Sequence, residues 1–413
     1  MDYIINGGIR LHGEIADYGA KNCALALLGA TVLTDEQIVI RNCPSIVDVE
    51  NMLLLLSAMG KKITRRAETV TVSGGLSTTS APQSLANLLR GSALILGSTV
   101  ARYHEIKLPL PGGCAIGARP MDIHLKGLEA LGIQVDSSKD VLICRGAPRG
   151  ASYSLRFASV GATENLLCAC VLANGQSLLA NCATEPEVTA LEELLVKMGA
   201  KIEGVGTPQV RIVGVEKLHG AEFDVIPDRI VAATYVSAAV ATLGDVTVTH
   251  CNPLHMQAFL DVLSPHVSIK LYDDALRVVA QNSPNGYGKI VTAPYPLFPT
   301  DMQSLLLSLA ACSSGRTEIS EKLFENRLQH NADELNKMGA RITVKDDVAT
   351  VEGNALHGAT VESRDLRGGA GLVIAALSAN GVSKVSGIEH INRGYVKLAQ
   401  NLSTLGAEIS VTP

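Results

Sequence analysis

The sequence predicts an α/β protein of two domains, each built from three similar repeats with helices inside and sheets outside. A helix end, a turn and a strand start recur six times at spacings of 72, 67, 67, 73 and 67 residues. The centres of these copies are Gly60, Gly132, Gly199, His266, Gly339 and Gly406, of which the fourth is degenerate. Self-similarity at a near-constant period is typical of a repeat architecture.

The two halves of the chain also match each other, at an offset of about 207 residues. Leu-His-Gly at 11–13, for example, recurs at 218–220. A chain of 413 residues exceeds what one core normally covers. We therefore expect a first three-repeat domain over 19–226 and a second over 1–18 and 227–413, each with its closing strand borrowed from the opposite terminus.

The predicted helices are of two kinds. One kind is small and apolar nearly all round, which predicts that protein surrounds it. These apolar segments are 23–33, 230–244, 304–312 and 370–379. The other kind is amphipathic, as in 47–59, and strands such as 245–250 alternate apolar with polar residues. Half-exposed strands around buried helices predict two inside-out α/β domains.

Composition argues against several classes of function. The net charge of −5 argues against nucleic acid or an anionic membrane as a partner. The chain shows no signal peptide and no apolar stretch of transmembrane length, so we expect a cytoplasmic protein. Nine cysteines, an odd number, indicate reduced core thiols. No metal-binding or Walker-type motif occurs, so neither a metal site nor nucleotide hydrolysis is expected.

A glycine-rich loop at 111–125 reads Pro-Gly-Gly-Cys-Ala-Ile-Gly-Ala-Arg-Pro-Met-Asp-Ile-His-Leu and leads into a predicted helix. Cys114 lies near Arg119 and just before a positive helix end, two influences that lower the pKa of a thiol. A free cysteine is more often a small buried hydrophobe. The flanking glycines and arginine favour a reactive thiol at Cys114.

Basic residues fall in matching loops of the repeat, and these loops open toward the same end of each domain. The basic residues are Lys21, Arg90, Arg119, Arg327, Arg367 and Arg393. Two such ends facing each other predict one cleft lined by cations and helix N-termini, which select phosphate and carboxylate. A solvated loop charge is the ordinary interpretation of any single arginine. Six matched positions in an acidic protein favour an anion site.

Together these segments closely resemble the UDP-N-acetylglucosamine enolpyruvyl transferases, over essentially the full chain. The matching blocks are 19–22, 111–124, 159–163, 298–303, 324–327, 365–367 and 393–395. The cysteine loop distinguishes them from the sister 5-enolpyruvylshikimate-3-phosphate synthases. The resemblance implies two inside-out domains with the active site in the cleft between them. It also implies the first committed step of peptidoglycan synthesis, in which phosphoenolpyruvate gives its enolpyruvyl group to the 3-hydroxyl of the sugar and phosphate is released. No metal and no organic cofactor is implied.

The resemblance further implies roles for individual residues. Asp301 would be the base near the sugar hydroxyl, Asp365 a second proton-handling carboxylate, and Cys114 a lid thiol acting as acid or in product release. The implied catalytic set is Cys114, Asp301, Lys21, Asp365 and Arg393. Phosphoenolpyruvate would contact Lys21, Asn22, Arg119 and Arg393. UDP-N-acetylglucosamine would contact Asn22, Arg90, Arg119, Pro120, Met121, Asp122, Ile123, Ser159, Val160, Gly161, Asp301, Leu323, Arg327 and Arg367.

Four positions depart from the pattern expected of such proteins, namely Phe157, Val231, Asn392 and Val396. They bear on nucleotide affinity and contacts between domains. Two other functions stay open: a transferase with another acceptor, such as a nucleoside, and a non-catalytic paralogue that binds the sugar nucleotide. The intact segments 119–122 and 159–161 argue against the first, and Asp301 with Cys114 against the second. The sequence leaves the oligomeric state open.

Overall fold

The computed structural model describes residues 1–109, 121–137, 140–324 and 327–412, without the side chain of Arg90. The predictions on Cys114, Arg119 and Pro120 therefore lie outside the described residues. The described chain falls into two compact units. Unit 1 comprises 1–18 and 227–412, and unit 2 comprises 19–109 and 121–226. A site in a cleft between domains stays a prediction.

The helices and strands of the described residues are numbered in chain order. The helices are α1 Lys21–Ala30, α2 Val47–Ala58, α3 Gln83–Ala86, α4 Ile95–Tyr103, α5 Asp122–Ala130, α6 Val160–Cys170, α7 Pro186–Lys197, α8 Arg229–Ala241, α9 Gln257–Leu263, α10 Thr300–Ala311, α11 Arg327–Lys337, α12 Leu366–Ser378, α13 Ile388–Ile391 and α14 Leu398–Thr404. Short 3-10 helices span Thr31–Leu33, Arg90–Leu94 and Pro253–Met256. The strands are β1 Asp2–Asn6, β2 His12–Ala16, β3 Ile38–Arg41, β4 Lys62–Arg66, β5 Thr69–Ser73, β6 Glu105–Pro109, β7 Gln134–Asp136, β8 Val141–Arg145, β9 Ser152–Ser154, β10 Gln176–Ala180, β11 Lys201–Glu203, β12 Gln209–Val213, β13 Ala221–Asp224, β14 Asp245–Thr249, β15 Ser268–Leu271, β16 Ala275–Val279, β17 Gly288–Val291, β18 Arg316–Ser320, β19 Arg341–Lys345, β20 Val348–Glu352, β21 Thr360–Glu362, β22 Val382–Ser386 and β23 Glu408–Thr412.

Each unit contains three small sheets within the described residues. Unit 2 has the strand orders β13-β3-β5-β4, β6-β8-β7 and β11-β12-β10-β9, and unit 1 has β15-β16-β14-β2, β17-β18-β20-β19 and β21-β22-β1-β23. Every four-stranded sheet joins one parallel pair to two antiparallel pairs. In the three-stranded sheet a parallel bridge from Ser80 to Lys107 stands where the fourth strand would be. The predicted three repeats per domain are confirmed.

Two long-range parallel pairings close the first sheet of each unit. β13 pairs with β3 through Ala221–Asp224 and Ile38–Arg41. β2 pairs with β14 through His12–Ala16 and Asp245–Thr249. The prediction that the closing strands come from the opposite terminus is therefore confirmed.

Buried helices occupy the interior of each unit, as the apolar segments predicted. In α8 the residues from Arg229 to Val240 are all buried, and in α12 those from Arg367 to Leu377. Helices α10 and α12 approach so closely that a Cβ on Gly371 would lie 2.8 Å from the Ser304 carbonyl oxygen. Strand β14 alternates half-buried with buried residues. The inside-out arrangement is confirmed.

The helix starts lie earlier than the apolar segments predicted, which brings polar residues into first turns. α10 begins at Thr300, so Asp301 lies in its first turn. α1 likewise begins at Lys21. Eight cysteines lie in the described residues, all of them free thiols. Among the described helices, none combines the length and apolarity that a membrane crossing needs.

Candidate active site

In unit 1, Asp301 lies against two buried arginines. Arg327 Nη2 is 3.0 Å from Asp301 Oδ1, and Arg367 Nη2 is 3.7 Å from Asp301 Oδ2. The Asp301 side chain is 28% exposed, whereas those of Arg327 and Arg367 are 2% and 5% exposed. Buried guanidinium groups beside a carboxylate favour its charged form. Asp301 therefore presents a partly exposed carboxylate whose position is set by two buried arginines.

Arg367 owes its place to the start of α12. Asp365 is the N-cap residue, and its Oδ1 accepts hydrogen bonds from the backbone N–H groups of Arg367, at 3.0 Å, and Gly368, at 2.9 Å. Such caps typically stabilise a helix by about 1 kcal/mol. Asp365 therefore has a structural role in addition to the proton-handling role that the resemblance implies, which stays a prediction.

Arg367 stays charged although it is buried. Burial alone would lower its pKa, but the charges of Asp301 and Asp228 and contact with Tyr395 raise the pKa above the ordinary arginine value. Asp301 is the first of these opposing causes. Arg367 is therefore a guanidinium cation beside Asp301.

Arg327 and Leu323 are organised by a residue that the sequence analysis missed, the buried Glu321. Arg327 Nη1 donates to Thr300 Oγ1 at 2.7 Å, and Thr300 Oγ1 donates to Glu321 Oε2 at 2.7 Å. The Leu323 backbone N–H donates to Glu321 Oε1 at 2.8 Å. Because Glu321 Oε1 also accepts from Thr292 Oγ1 at 3.0 Å, its charge is shared over several donors. No motif in the sequence marks Glu321.

In unit 2, Lys21 forms a buried ion pair that the sequence did not predict. Its Nζ lies 2.7 Å from Asp48 Oδ2, with the two side chains 11% and 3% exposed. Lys21 begins α1, and Asn22 follows it in the first turn. A lysine there adds its charge to the positive end of the helix dipole. Asp48, in the first turn of α2, balances that charge within the fold.

A single buried asparagine links three segments that the resemblance assigned to the sugar nucleotide. Asn165 Oδ1 accepts from Gly97 N–H at 2.7 Å, which fixes the orientation of the amide. Its Nδ2 then lies 3.0 Å from Ala93 O, 3.1 Å from Gly161 O and 3.0 Å from His124 Nδ1. These partners belong to the Arg90–Leu94 helix, to α6 and to α5. Asn165 therefore sets the relative placement of the three segments.

The other predicted nucleotide residues occupy the starts of those helices. Ser159 caps α6, and its side chain accepts from Ala162 N–H at 3.5 Å. Val160 and Gly161 form the first turn of α6. Met121 precedes α5, and Asp122 and Ile123 begin it. Arg90 begins its 3-10 helix.

Arg156 lies beside Phe157, one of the positions that depart from the family pattern. Arg156 Nη2 is 2.5 Å from Asp122 Oδ2, and both side chains are partly exposed. A basic group is thus present next to α5 although position 157 itself is aromatic. Arg393 is half-buried in the turn that follows α13.

The chain is similar to known proteins over nearly its full length. The family model for EPSP synthase (3-phosphoshikimate 1-carboxyvinyltransferase) matches residues 5–402. UDP-N-acetylglucosamine 1-carboxyvinyltransferase of Gluconacetobacter diazotrophicus is 43% identical, in an alignment that covers 98% of each chain. UDP-N-acetylglucosamine 1-carboxyvinyltransferase 2 of Caldanaerobacter subterraneus is 40% identical, again over 98% of both chains.

Solved structures show the same fold. The enolpyruvyl transferase NikO from Streptomyces tendae has a TM-score of 0.89 and 25% identity, over 99% of this chain and 98% of that one. EPSP synthase from Acinetobacter baumannii has a TM-score of 0.73 and 21% identity over 100% of both chains.

The repeated inside-out units are thus the fold that these enolpyruvyl transferase and EPSP synthase structures share. The chain belongs to the EPSP synthase family, together with the UDP-N-acetylglucosamine 1-carboxyvinyltransferases to which it is 40 to 43% identical. The family resemblance seen in the sequence is confirmed.

Proposed function

We propose that this chain transfers the enolpyruvyl group of phosphoenolpyruvate to the 3-hydroxyl of UDP-N-acetylglucosamine and releases phosphate, the first committed step of peptidoglycan synthesis. The observation that carries the proposal is the accessible Asp301 carboxylate held by Arg327 and Arg367. The names of the relatives that are 40 to 43% identical support this choice of acceptor.

Asp301 acts as the general base in the first step. It takes the proton of the 3-hydroxyl while that oxygen bonds to C2 of phosphoenolpyruvate and C3 takes up a proton. In the second step C3 returns its proton, the bond between C2 and the phosphate oxygen breaks, and phosphate leaves. Asp365 and Cys114 are the proposed groups for the proton at C3, and Cys114 acts there or in product release.

The donor is an anion with a phosphate and a carboxylate, and the start of α1 suits it. Lys21 and Asn22 lie in the first turn of α1, where backbone N–H groups and the dipole favour negative charge. Lys21, Arg119 and Arg393 hold the donor in this proposal. Asp48 lies 2.7 Å from the Lys21 ammonium, so it is the nearest competitor for that charge.

The nucleotide end is bound by the segments that Asn165 links. Arg90, the start of α5 and the start of α6 contact the sugar nucleotide, with Arg119 between the first two in sequence. Leu323 and Arg327 of unit 1 contact the same ligand.

A phosphate-release assay with phosphoenolpyruvate and UDP-N-acetylglucosamine tests the proposal, with mass spectrometry of the product and with nucleosides as alternative acceptors. We expect release that requires both substrates and a product heavier by one enolpyruvyl group. Faster release with a nucleoside would favour the transferase with another acceptor. Binding of the sugar nucleotide with no release under any condition would identify a non-catalytic paralogue.

A further inference from the structure

We propose that Tyr395 and Thr234 form a relay that positions Arg367 against Asp301. Neither residue belongs to the predicted site, and both lie in the interior of unit 1. They are positioning residues, because they act on the carboxylate only through Arg367. The proposal rests on the proposed role of Asp301 as the base.

The contacts run in one line from Asp301 into the core. Arg367 Nη2 lies 3.7 Å from Asp301 Oδ2, and the guanidinium carbon of Arg367 lies 5.9 Å from the centroid of the Tyr395 ring. The Arg367 guanidinium and the Tyr395 side chain are thus neighbours in the buried core. The Tyr395 hydroxyl lies 2.8 Å from Thr234 Oγ1, on α8.

The direction of each hydrogen bond in the relay follows from the carbonyl oxygen of Ile230, at its far end. Thr234 Oγ1 donates its one proton to the carbonyl oxygen of Ile230, which can only accept, at 2.8 Å. In the bond between Thr234 and Tyr395, the tyrosine hydroxyl is therefore the donor. The tyrosine oxygen is left as an acceptor toward Arg367, and a guanidinium can only donate. The relay thus ends at a helix carbonyl and leaves the tyrosine oxygen as an acceptor for the neighbouring Arg367 guanidinium.

The other ionisable groups around the relay either accept hydrogen bonds from the backbone or are uncharged phenols. Asp228 Oδ1 caps α8 by accepting from the N–H groups of Ile230 and Val231. Burial raises the pKa of Tyr395 and Tyr18, and of Tyr235 on α8, so the phenols stay protonated at neutral pH.

Two further groups complete the surroundings. Burial and the Asp228 charge raise the pKa of Asp17, which reduces its negative charge. Arg327 already donates to Asp301 and to Thr300. Asp301 is therefore the carboxylate on which the positive charge of Arg367 acts.

Removing the relay has a consequence that a purely structural role does not. A less firmly held Arg367 supplies less positive charge to Asp301, and a carboxylate with less positive charge nearby has a higher pKa. The acid limb of the kcat profile should then move to higher pH. The apparent KM for either substrate should change little, because the relay touches neither.

Tyr395→Phe and Thr234→Val each remove one member of the relay, and Thr234→Ser keeps the hydroxyl. Tyr235→Phe is the matched control, since Tyr235 is a buried tyrosine on α8 whose hydroxyl accepts from Asn401 Nδ2 at 2.8 Å. We expect about a tenfold lower kcat for Tyr395→Phe and Thr234→Val, the range for hydrogen bonds to charged groups. Both should show the upward shift of the acid limb. Thr234→Ser should restore the wild-type profile, and Tyr235→Phe should keep it.

A second measurement needs no turnover and separates the relay from the proposed function. The Nε–Hε resonance of Arg367, assigned with Arg367→Lys, should exchange slowly in the wild-type protein and in Tyr235→Phe, and quickly in Tyr395→Phe and Thr234→Val. If the wild-type protein releases no phosphate, the proposed function fails while this exchange still decides on the relay. A slowly exchanging Arg367 in Tyr395→Phe and Thr234→Val, or an acid limb that moves equally in Tyr235→Phe, would overturn the relay.

Discussion

The starts of α6 and α12 occupy equivalent positions in the two units, and they are used differently. Ser159 and Asp365 both cap their helices with a side-chain oxygen. Two residues later unit 2 has Gly161, whereas unit 1 has Arg367. A Cβ on Gly161 would lie 3.1 Å from His124 Cε1, so the glycine makes room for α5. Arg367 instead extends to Asp301.

The interiors of the same two helices differ as well. Asn165 in α6 binds three segments of unit 2 through its amide. The equivalent residue of α12 is Gly371, where a Cβ would lie 2.8 Å from the Ser304 carbonyl oxygen of α10. The repeat therefore dictates where helices and sheets lie. Single positions within it decide that unit 2 orients the segments proposed to bind the nucleotide and that unit 1 holds the proposed base.

The largest effect is expected when the Asp301 carboxylate of unit 1 is removed. Asp301→Asn should lower kcat by roughly 10² to 10⁴, the range for general-base catalysis. Phosphate release at saturating substrates measures it. Asp333→Asn is the matched control, because Asp333 is an exposed carboxylate on α11 that accepts only from Gln329 Nε2 among the contacts described. Near-normal turnover in Asp301→Asn would reject the assignment.

Asn165→Leu replaces the linking amide of unit 2 with an apolar side chain. The buried Gly97 N–H and the carbonyl oxygens of Ala93 and Gly161 would lose their partner, so we expect a loss of about 2 to 4 kcal/mol in the free energy of unfolding. Urea unfolding measures it. Thr163→Val on the same helix removes a single hydrogen bond, from Ala183 N–H, and should cost about 1 kcal/mol. Equal losses in the two variants would contradict the role of Asn165.

A buried carboxyl group in α7 makes part of the stability of unit 2 depend on pH. Burial raises the pKa of Glu192 from 4.5 to about 7, against the opposing hydrogen bond from Gly206 N–H. The residue 207 positions later is Ala399. A raised carboxyl pKa stabilises the fold fully below the unfolded value and loses that effect as the pH rises through about 7.

Glu192→Gln should therefore match the wild-type stability near pH 4 and exceed it at pH 8 by about 1 to 3 kcal/mol. Chemical unfolding at the two pH values tests this difference. A constant difference between the variants from pH 4 to pH 8 would show that Glu192 does not titrate in this range.

The smallest expected effect concerns the labelling of thiols. Burial raises the pKa of Cys43, Cys170, Cys182 and Cys251 to about 12, so these thiols should react slowly. Cys114, which lies outside the described residues, should then react fastest with the epoxide fosfomycin. UDP-N-acetylglucosamine should speed the reaction if the loop closes over ligand. Peptide mapping checks both points, and Cys114→Asp should resist the reagent.

An adduct on any of the eight described cysteines would contradict this order of reactivity. A labelling rate that does not change when the sugar nucleotide is added would contradict closure of the loop over the ligand.

The architecture followed from the sequence because it depends on patterns that repeat. The three repeats were predicted from the spacing of helix ends and from the apolar helices. The closing strands were predicted from the matching segments at 11–18 and 218–225. Both predictions are confirmed. The helix starts were placed too late. Polar first turns, such as Thr300 with Asp301, do not extend an apolar pattern although they belong to the helix.

The site was only partly predictable, because its supporting contacts join distant positions. Asn165 bonds a carbonyl 72 residues away, and Arg327 reaches Asp301 across 26 residues. No local spacing indicates such partners. Asp48, Glu321 and Tyr395 were missed for the same reason: each looks like an ordinary helix or loop residue in the sequence. Tertiary packing places Asp48 and Tyr395 beside a cation, and it places Glu321 beside Thr300, which binds Arg327.

The most direct test of this division between units is the dissociation constant of UDP-N-acetylglucosamine, measured by calorimetry for Asp301→Asn and Asn165→Leu. We predict that Asp301→Asn binds the sugar nucleotide with unchanged affinity, whereas Asn165→Leu binds it about tenfold or more weakly. Weaker binding by Asp301→Asn together with unchanged binding by Asn165→Leu would contradict the assignment of chemistry to unit 1 and nucleotide placement to unit 2.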